Sequence, residues 1–138
     1  MARQGPSKPT DAGNWEGRLR NARDFKRDAE ELHDLRGEEE NANGVVTLIV
    51  NAAIAYADAL TGKYGRFFNQ QDHKQVSAGV ERALGNRADP AQIKRLSTII
   101  GQKDPSSYGV RQSRKVAAAD LLKQLERFSE WAEGMLSK

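Results

Sequence analysis

The chain has 138 residues, a net charge of +3 and no cysteine. This length is typical of one domain with a single core, and the lack of cysteine excludes disulfides, thiolate metal sites and a cysteine nucleophile. The composition, 38% apolar and 30% charged, is typical of a soluble helical domain, and we expect a cytoplasmic protein because no stretch resembles a signal peptide or a membrane span.

The chain begins with a segment that lacks the apolar side chains needed for a core. Residues 1–13 hold two of the four prolines, so we expect a disordered tail. From Trp15 onward, apolar residues recur every three or four positions, which predicts a first helix over 14–36 with Asn14 as its cap. One helical-bundle domain is then predicted over 14–138.

The second predicted helix, over 42–63, is apolar on most of its sides. A helix of this kind belongs in the interior, so we expect it to be the central and most buried element of the fold. Its β-branched residues alone are compatible with a strand, but its length and its many alanines favour a helix. Gly62 and Gly65 are expected to end it.

The third and fourth helices are predicted from their start signals. Helix three is expected over 71–84, with Asn69 or Asp72 as its cap. Asp89 followed by Pro90 places a capping residue directly before a proline at the first helical position, which predicts the start of helix four.

The last helix completes a bundle. Gly101 is expected to end helix four, and Ser113 is expected to cap a final helix that continues almost to the C-terminus. We find no strand pattern in the sequence. The fold class predicted is therefore all-α, an up-and-down bundle of four long helices plus one short helix.

Charge is unevenly distributed along the chain. Residues 28–40 carry seven acidic and one basic side chain, whereas residues 59–115 carry eleven basic and four acidic ones. A positive middle region is typical of proteins that attract phosphate-bearing ligands such as RNA. The alternative is an ordinary solvated surface.

Candidate site residues are concentrated in two loops, one after helix two and one before the last helix. In an antiparallel bundle these two loops lie at the same end, so we expect them to meet. The candidates in them are Lys63, Arg66, Asp72, His73, Lys103, Asp104 and Tyr108.

Arg66 and His73 are the pair with the clearest chemistry. An arginine that binds a phosphate and a histidine that moves a proton are the groups needed to cleave RNA through its 2′-hydroxyl. The alternative is a surface arginine and a histidine at the start of a helix.

Asp58 is a carboxylate on an otherwise apolar helix, and a buried charge needs a partner. The candidate partners are Arg66, His73, Lys103 and Tyr108. The resulting network is either structural or part of a catalytic or binding site. Nearby, Phe67 and Phe68 are adjacent in a basic loop and cannot both enter a helical core, so one is expected to contact a ligand, a partner or the end of the bundle.

The order of these pieces resembles the HEPN superfamily of small helical bundles. The resemblance lies in an alanine-rich second helix with Ala-Ile-Ala-Tyr-Ala-Asp-Ala-Leu, a loop, Gln-Gln-Asp-His before helix three, and Lys-Asp-Pro-Ser-Ser-Tyr-Gly before the last helix. It is closest to compact single-domain bacterial members. It implies a helical bundle, a homodimer and, in many members, metal-independent ribonuclease activity with an arginine and a histidine separated by four to six residues, as in Arg66 and His73.

Two hypotheses follow from this reading. In the first, the chain binds RNA or nucleotides and acts as a metal-independent, toxin-type endoribonuclease without a cofactor. Arg66 then holds the phosphate, His73 is the acid or base, and Asp58 or Tyr108 orients His73. The expected substrate contacts are Lys63, Asp72, Lys103 and Asp104.

The second hypothesis is a non-catalytic dimerisation or adaptor domain. In it, Asp58, His73, Lys103 and Tyr108 form a structural polar network at the loops. The expected partners across the two hypotheses are RNA or a nucleotide, an antitoxin-like protein and a second copy of the chain, and not a membrane.

Overall fold

The computed structural model describes residues 7–9, 14–69, 75–103 and 112–138. This part of the chain contains five α-helices, so the all-α prediction is confirmed at the level of fold class. The helices are α1 (Asn14–Leu35), α2 (Asn43–Gly65), α3 (Val76–Leu84), α4 (Pro90–Ile100) and α5 (Lys115–Leu136).

The helix lengths differ from the prediction of four long helices and one short one. Three helices have 22 or 23 residues, whereas α3 has 9 and α4 has 11. The apolar stripe of α4 ends at Ile100, and Gly101 begins a short 3₁₀ turn. Residues 71–74, where the first turn of helix three was expected, lie outside the described residues.

Two strands of three residues each, β1 (Ser7–Pro9) and β2 (Phe67–Asn69), pair in antiparallel fashion. The expectation of no strand is therefore wrong at these two segments, and Asn69 lies in β2 instead of capping helix three. Three residues are too few for alternation to be visible in a sequence, and the two partners lie far apart along the chain. The rest of the predicted tail lies outside the described residues.

The central helix α2 is the most buried, as predicted. Fourteen of its 23 residues are buried, and it contacts each of the other four helices. In the described part of the chain it is the one helix long and apolar enough to span a membrane, with a mean hydropathy of 1.6, yet 72% of that stretch is buried. Its apolar sides are thus covered by the other helices of the fold.

Hydrogen bonds at the starts of α4 and α5 test the two predicted helix caps. The Asp89 carboxylate accepts a hydrogen bond from the Ala91 N–H at 3.0 Å, which confirms the predicted start of α4. Ser113 does not cap α5, because Arg114 occupies that position without a side-chain cap. Instead, the Ser113 N–H donates to Asn43 Oδ1 at 2.8 Å and its carbonyl accepts from the Ala42 N–H at 2.9 Å.

These bonds fix the direction of α5 relative to α2. The start of α5 lies beside the start of α2, and at the other end the Tyr64 hydroxyl donates to the Met135 carbonyl at 2.6 Å. The two helices therefore run parallel. Ser113, directly before α5, therefore lies at the opposite end of α2 from Arg66. Residues 70–74 and 104–111 lie outside the described residues, so the expected meeting of the two loops stays a prediction.

A polar triad joins the three long helices. Arg23 on α1 forms two hydrogen bonds with the Glu133 carboxylate on α5, at 2.8 and 2.6 Å. The buried Tyr56 on α2 donates its hydroxyl to the same carboxylate at 3.2 Å. The Arg23 guanidinium keeps the pKa of Glu133 below its usual range, so this carboxylate stays charged and holds α1, α2 and α5 together.

Candidate functional site

Cationic and aromatic side chains are interleaved around the end of α2. The surface they form is called the basic end here. Its members are Trp15, Arg18, Lys63, Tyr64, Arg66, Phe67, Phe68, Arg82 and Arg87.

The backbone turn at Arg66 creates this surface. Arg66 follows the last residue of α2 with φ of 59°, in the left-handed region, and its N–H bonds to the Thr61 carbonyl. This turn ends α2 and starts β2, in which neighbouring side chains point to opposite faces. Phe68 is accordingly buried and Phe67 half-buried. Phe67 is therefore the one that lies on the surface at the end of the bundle, as the sequence indicated for one of the two.

Three arginines stack on aromatic rings at the basic end. The guanidinium carbon lies 4.3 Å from the ring centroid for Arg18 over Phe68, 4.5 Å for Arg82 over Phe67 and 4.8 Å for Arg87 over Tyr64. A guanidinium over the face of a ring keeps N–H groups with which it can bind a further partner. These arginines and Arg66 are exposed, so four guanidinium groups are accessible to a phosphate or a base.

Lys63 has a different environment from the arginines. Its ammonium donates to the carbonyls of Leu136 and Lys138 at 2.8 and 2.9 Å, where α5 ends. It also lies 5.2 Å from the Trp15 ring centroid. A cation at this position satisfies carbonyls left free by the end of the helix. Lys63 therefore joins the ends of α2 and α5, and its predicted contact with a substrate stays a prediction.

Asp58 is buried, as its position on an apolar helix indicated, with its side chain 10% exposed. Its partner is Arg18 on α1, whose Nη1 lies 3.7 Å from Asp58 Oδ2, and not Arg66 as the sequence analysis allowed. Burial raises the pKa of Asp58 to about 7, and the nearby Arg18 charge opposes this only in part.

Of the other predicted site residues, Arg66 lies exposed at the basic end. Asp72, His73, Asp104 and Tyr108 and the side chain of Lys103 lie outside the described residues. Their roles stay predictions.

Three arginines of the basic end were not predicted from the sequence: Arg18, Arg82 and Arg87. A signal for Arg18 was present: in two antiparallel helices, residues at similar distances from the connecting turn lie side by side, and residues 18 and 58 are nearly equidistant from the turn at 36–42. Arg82 and Arg87 belong to the basic middle region, but their stacking on Phe67 and Tyr64 depends on the tertiary fold.

The described residues contain no group of three or more acidic or histidine side chains able to hold a metal ion. Comparison with known proteins gives no match: no family model, no curated protein and no solved structure is similar to this chain.

Proposed function

We propose that this protein binds single-stranded RNA through the basic end. The observation that carries the proposal is the stacking of three exposed arginines on aromatic rings around the end of α2. Guanidinium groups bind phosphates with two parallel hydrogen bonds, and half-buried rings beside them offer stacking surfaces to bases.

The distribution of charge supports the same conclusion. The turn between α1 and α2, at the other end of the molecule, carries the exposed carboxylates Glu38, Glu39 and Glu40. An RNA strand is repelled there and attracted to the basic end, so the field of the protein orients the ligand before contact. The resemblance of the helix order to the HEPN superfamily is a further ground for proposing an RNA ligand.

The test is a binding titration of fluorescein-labelled oligouridine, followed by fluorescence anisotropy. The double variant Arg66→Gln with Arg87→Gln removes two cations from the basic end and keeps two of the three methylene groups of each side chain. The control, Arg114→Gln with Arg127→Gln, removes the same charge from exposed positions on or beside α5. We expect the first pair to weaken binding by about tenfold or more and the control to change it little. Equal effects of the two pairs would show that only net charge matters.

We further propose that bound RNA is cleaved without a metal, with His73 as the acid or base and Arg66 on the phosphate. The accessible guanidinium of Arg66 supports this assignment. The test is incubation of total RNA in EDTA with the native protein and with His73→Ala. Cleavage by the native protein alone is expected, and no cleavage by either would leave RNA binding as the function.

A further inference from the structure

A groove of about 280 Å³ lies between α1 and α2, next to the basic end. Its side chains come from both helices at helical spacing, so they form two facing rows. The residues that bear on its chemistry are Arg18, Asn21 and Phe25 from α1 and Asn51, Ile54 and Asp58 from α2.

The groove contains a buried carboxyl group, Asp58, whose partner in the described part of the chain is Arg18. This ion pair has a distance of 3.7 Å, which is longer than a direct hydrogen bond. A buried carboxyl that faces an open groove is stabilised by any ligand that supplies N–H donors. A ligand of the groove should therefore place N–H donors within hydrogen-bond distance of the Asp58 carboxyl group.

The other side chains restrict the occupant further. Phe25 and Ile54 provide apolar walls, which suit a flat ring. Arg18 is 45% exposed and lies between Asp58 and the Phe68 ring, so it joins the groove to the basic end. An anionic group attached to the ring would meet Arg18 at that junction.

We propose that this groove binds one guanine base of the RNA. A carboxylate is an acceptor only, and guanine presents two adjacent donors, N1–H and N2–H, on its Watson–Crick edge, whereas adenine, cytosine and uracil each present one. Asp58 accepts from both donors, Phe25 and Ile54 flank the ring, and Arg18 contacts the phosphate. This inference rests on the proposed function for the identity of the ligand as RNA.

The first test compares six-nucleotide RNAs that are all uridine or carry one guanosine, adenosine or cytidine. We expect the guanosine RNA to bind about tenfold more tightly than the others. Asp58→Asn removes this preference, since an amide cannot accept from both donors, while the protein still binds oligouridine. A preference for another base, or a guanosine preference that survives in Asp58→Asn, would overturn the proposal.

A second variant tests whether binding requires the open volume of the groove, and it leaves the Asp58 carboxylate in place. Ala55 lines the groove, and Ala55→Leu places three further carbon atoms in it. The matched control is Ala117→Leu at an exposed position on α5. We expect Ala55→Leu to abolish the guanosine preference and the control to keep it, with the fold of both checked by circular dichroism.

A third measurement separates this inference from RNA binding at the basic end. GMP and UMP are titrated into ¹⁵N-labelled protein, and the side-chain amide signals of Asn21 and Asn51 are followed. GMP should shift these signals and UMP should not. Shifts with GMP in a protein that fails to bind oligouridine would support the guanine site and contradict RNA binding at the basic end. Oligouridine binding without GMP shifts would support RNA binding and contradict the guanine site.

Discussion

At the scale of single residues, Asp58 shows how burial changes the chemistry of a side chain. Its side chain is 10% exposed in the groove between α1 and α2, where little water remains to stabilise the charged form. The cation that faces it, Arg18, is nearly half exposed, so solvent weakens the attraction. The result is a pKa of about 7, well above the usual value of 3.8.

The first prediction concerns the pH dependence of stability. The folded state holds the Asp58 proton more tightly than the unfolded state, so the stabilisation is complete below pH 4 and is lost as the pH rises to 7. Asp58→Asn removes this loss. We expect the variant to match the native protein near pH 4 and to be more stable by about 4 kcal/mol at pH 8.

Urea titrations at both pH values measure this difference. A constant difference between the two proteins from pH 4 to pH 8 would show that Asp58 ionises freely in the folded state. Arg18→Gln is the companion variant: it should destabilise the native protein at pH 8 and have little effect at pH 4, because only the charged carboxylate interacts with Arg18.

How much of this site could be predicted depends on the residue. A single carboxylate on an apolar helix is enough to predict burial and a charged partner, and both are present. The partner itself could not be chosen from Arg66, His73, Lys103 and Tyr108, because the choice depends on which helix packs against that face of α2. The structure places α1 there, and α1 supplies Arg18.

At the scale of elements, the close approach of α1, α2 and β2 depends on a glycine. An added Cβ at Gly62 would lie 2.6 Å from Phe68 Cε1 and 2.9 Å from Trp15 Cβ. Both distances are shorter than real carbon contacts, and the Trp15 Cβ is fixed to the backbone of α1. Gly62 therefore lets these three elements meet beneath the basic end.

The second prediction follows from this packing. Gly62→Ala should lower the free energy of unfolding by about 1–3 kcal/mol, because the new methyl group displaces Phe68 and α1. Gly134→Ala in α5 is the matched control, since nothing lies within 4 Å of its added Cβ. The control should raise stability by about 0.5 kcal/mol through better helix propensity.

Thermal and urea denaturation of the two variants measure these opposite changes in the free energy of unfolding. If Gly62→Ala proved as stable as Gly134→Ala, the tight contact between α2, Trp15 and Phe68 would be absent in solution.

At the scale of the whole molecule, the parallel arrangement of α2 and α5 and the antiparallel arrangement of α1 and α2 separate the charges. The acidic turn after α1 lies at one end, and the arginines that follow α2 and α3 lie at the other. Only the fold brings Arg18, Arg66, Arg82 and Arg87 to the same end, because they belong to separate stretches of the chain.

The third prediction concerns the salt dependence of RNA binding. Each phosphate neutralised on a single strand contributes about −0.7 to the slope of log affinity against log salt concentration. On oligouridine, where Arg18 stays paired with Asp58, three contacts from Arg66, Arg82 and Arg87 should give a slope of about −2. Arg66→Gln with Arg87→Gln should reduce it to about −0.7, as measured by anisotropy over a series of salt concentrations. An unchanged slope in this variant would place the phosphate contacts elsewhere on the protein.

The features that could be predicted from the sequence alone are those that depend on local interactions. Helix periodicity predicted α1 and α5, and length with alanine content predicted α2. Asp89 with Pro90 predicted the start of α4, and the apolar sides of α2 predicted its central position. These features depend on residues within a few turns of one another, so they are visible along the chain. The tertiary structure decided the rest: the parallel run of α2 and α5, the contact of Arg18 with Asp58, the strand pair and the groove. Each of these depends on how helices are rotated and directed against one another, and that is set by contacts between segments distant in sequence.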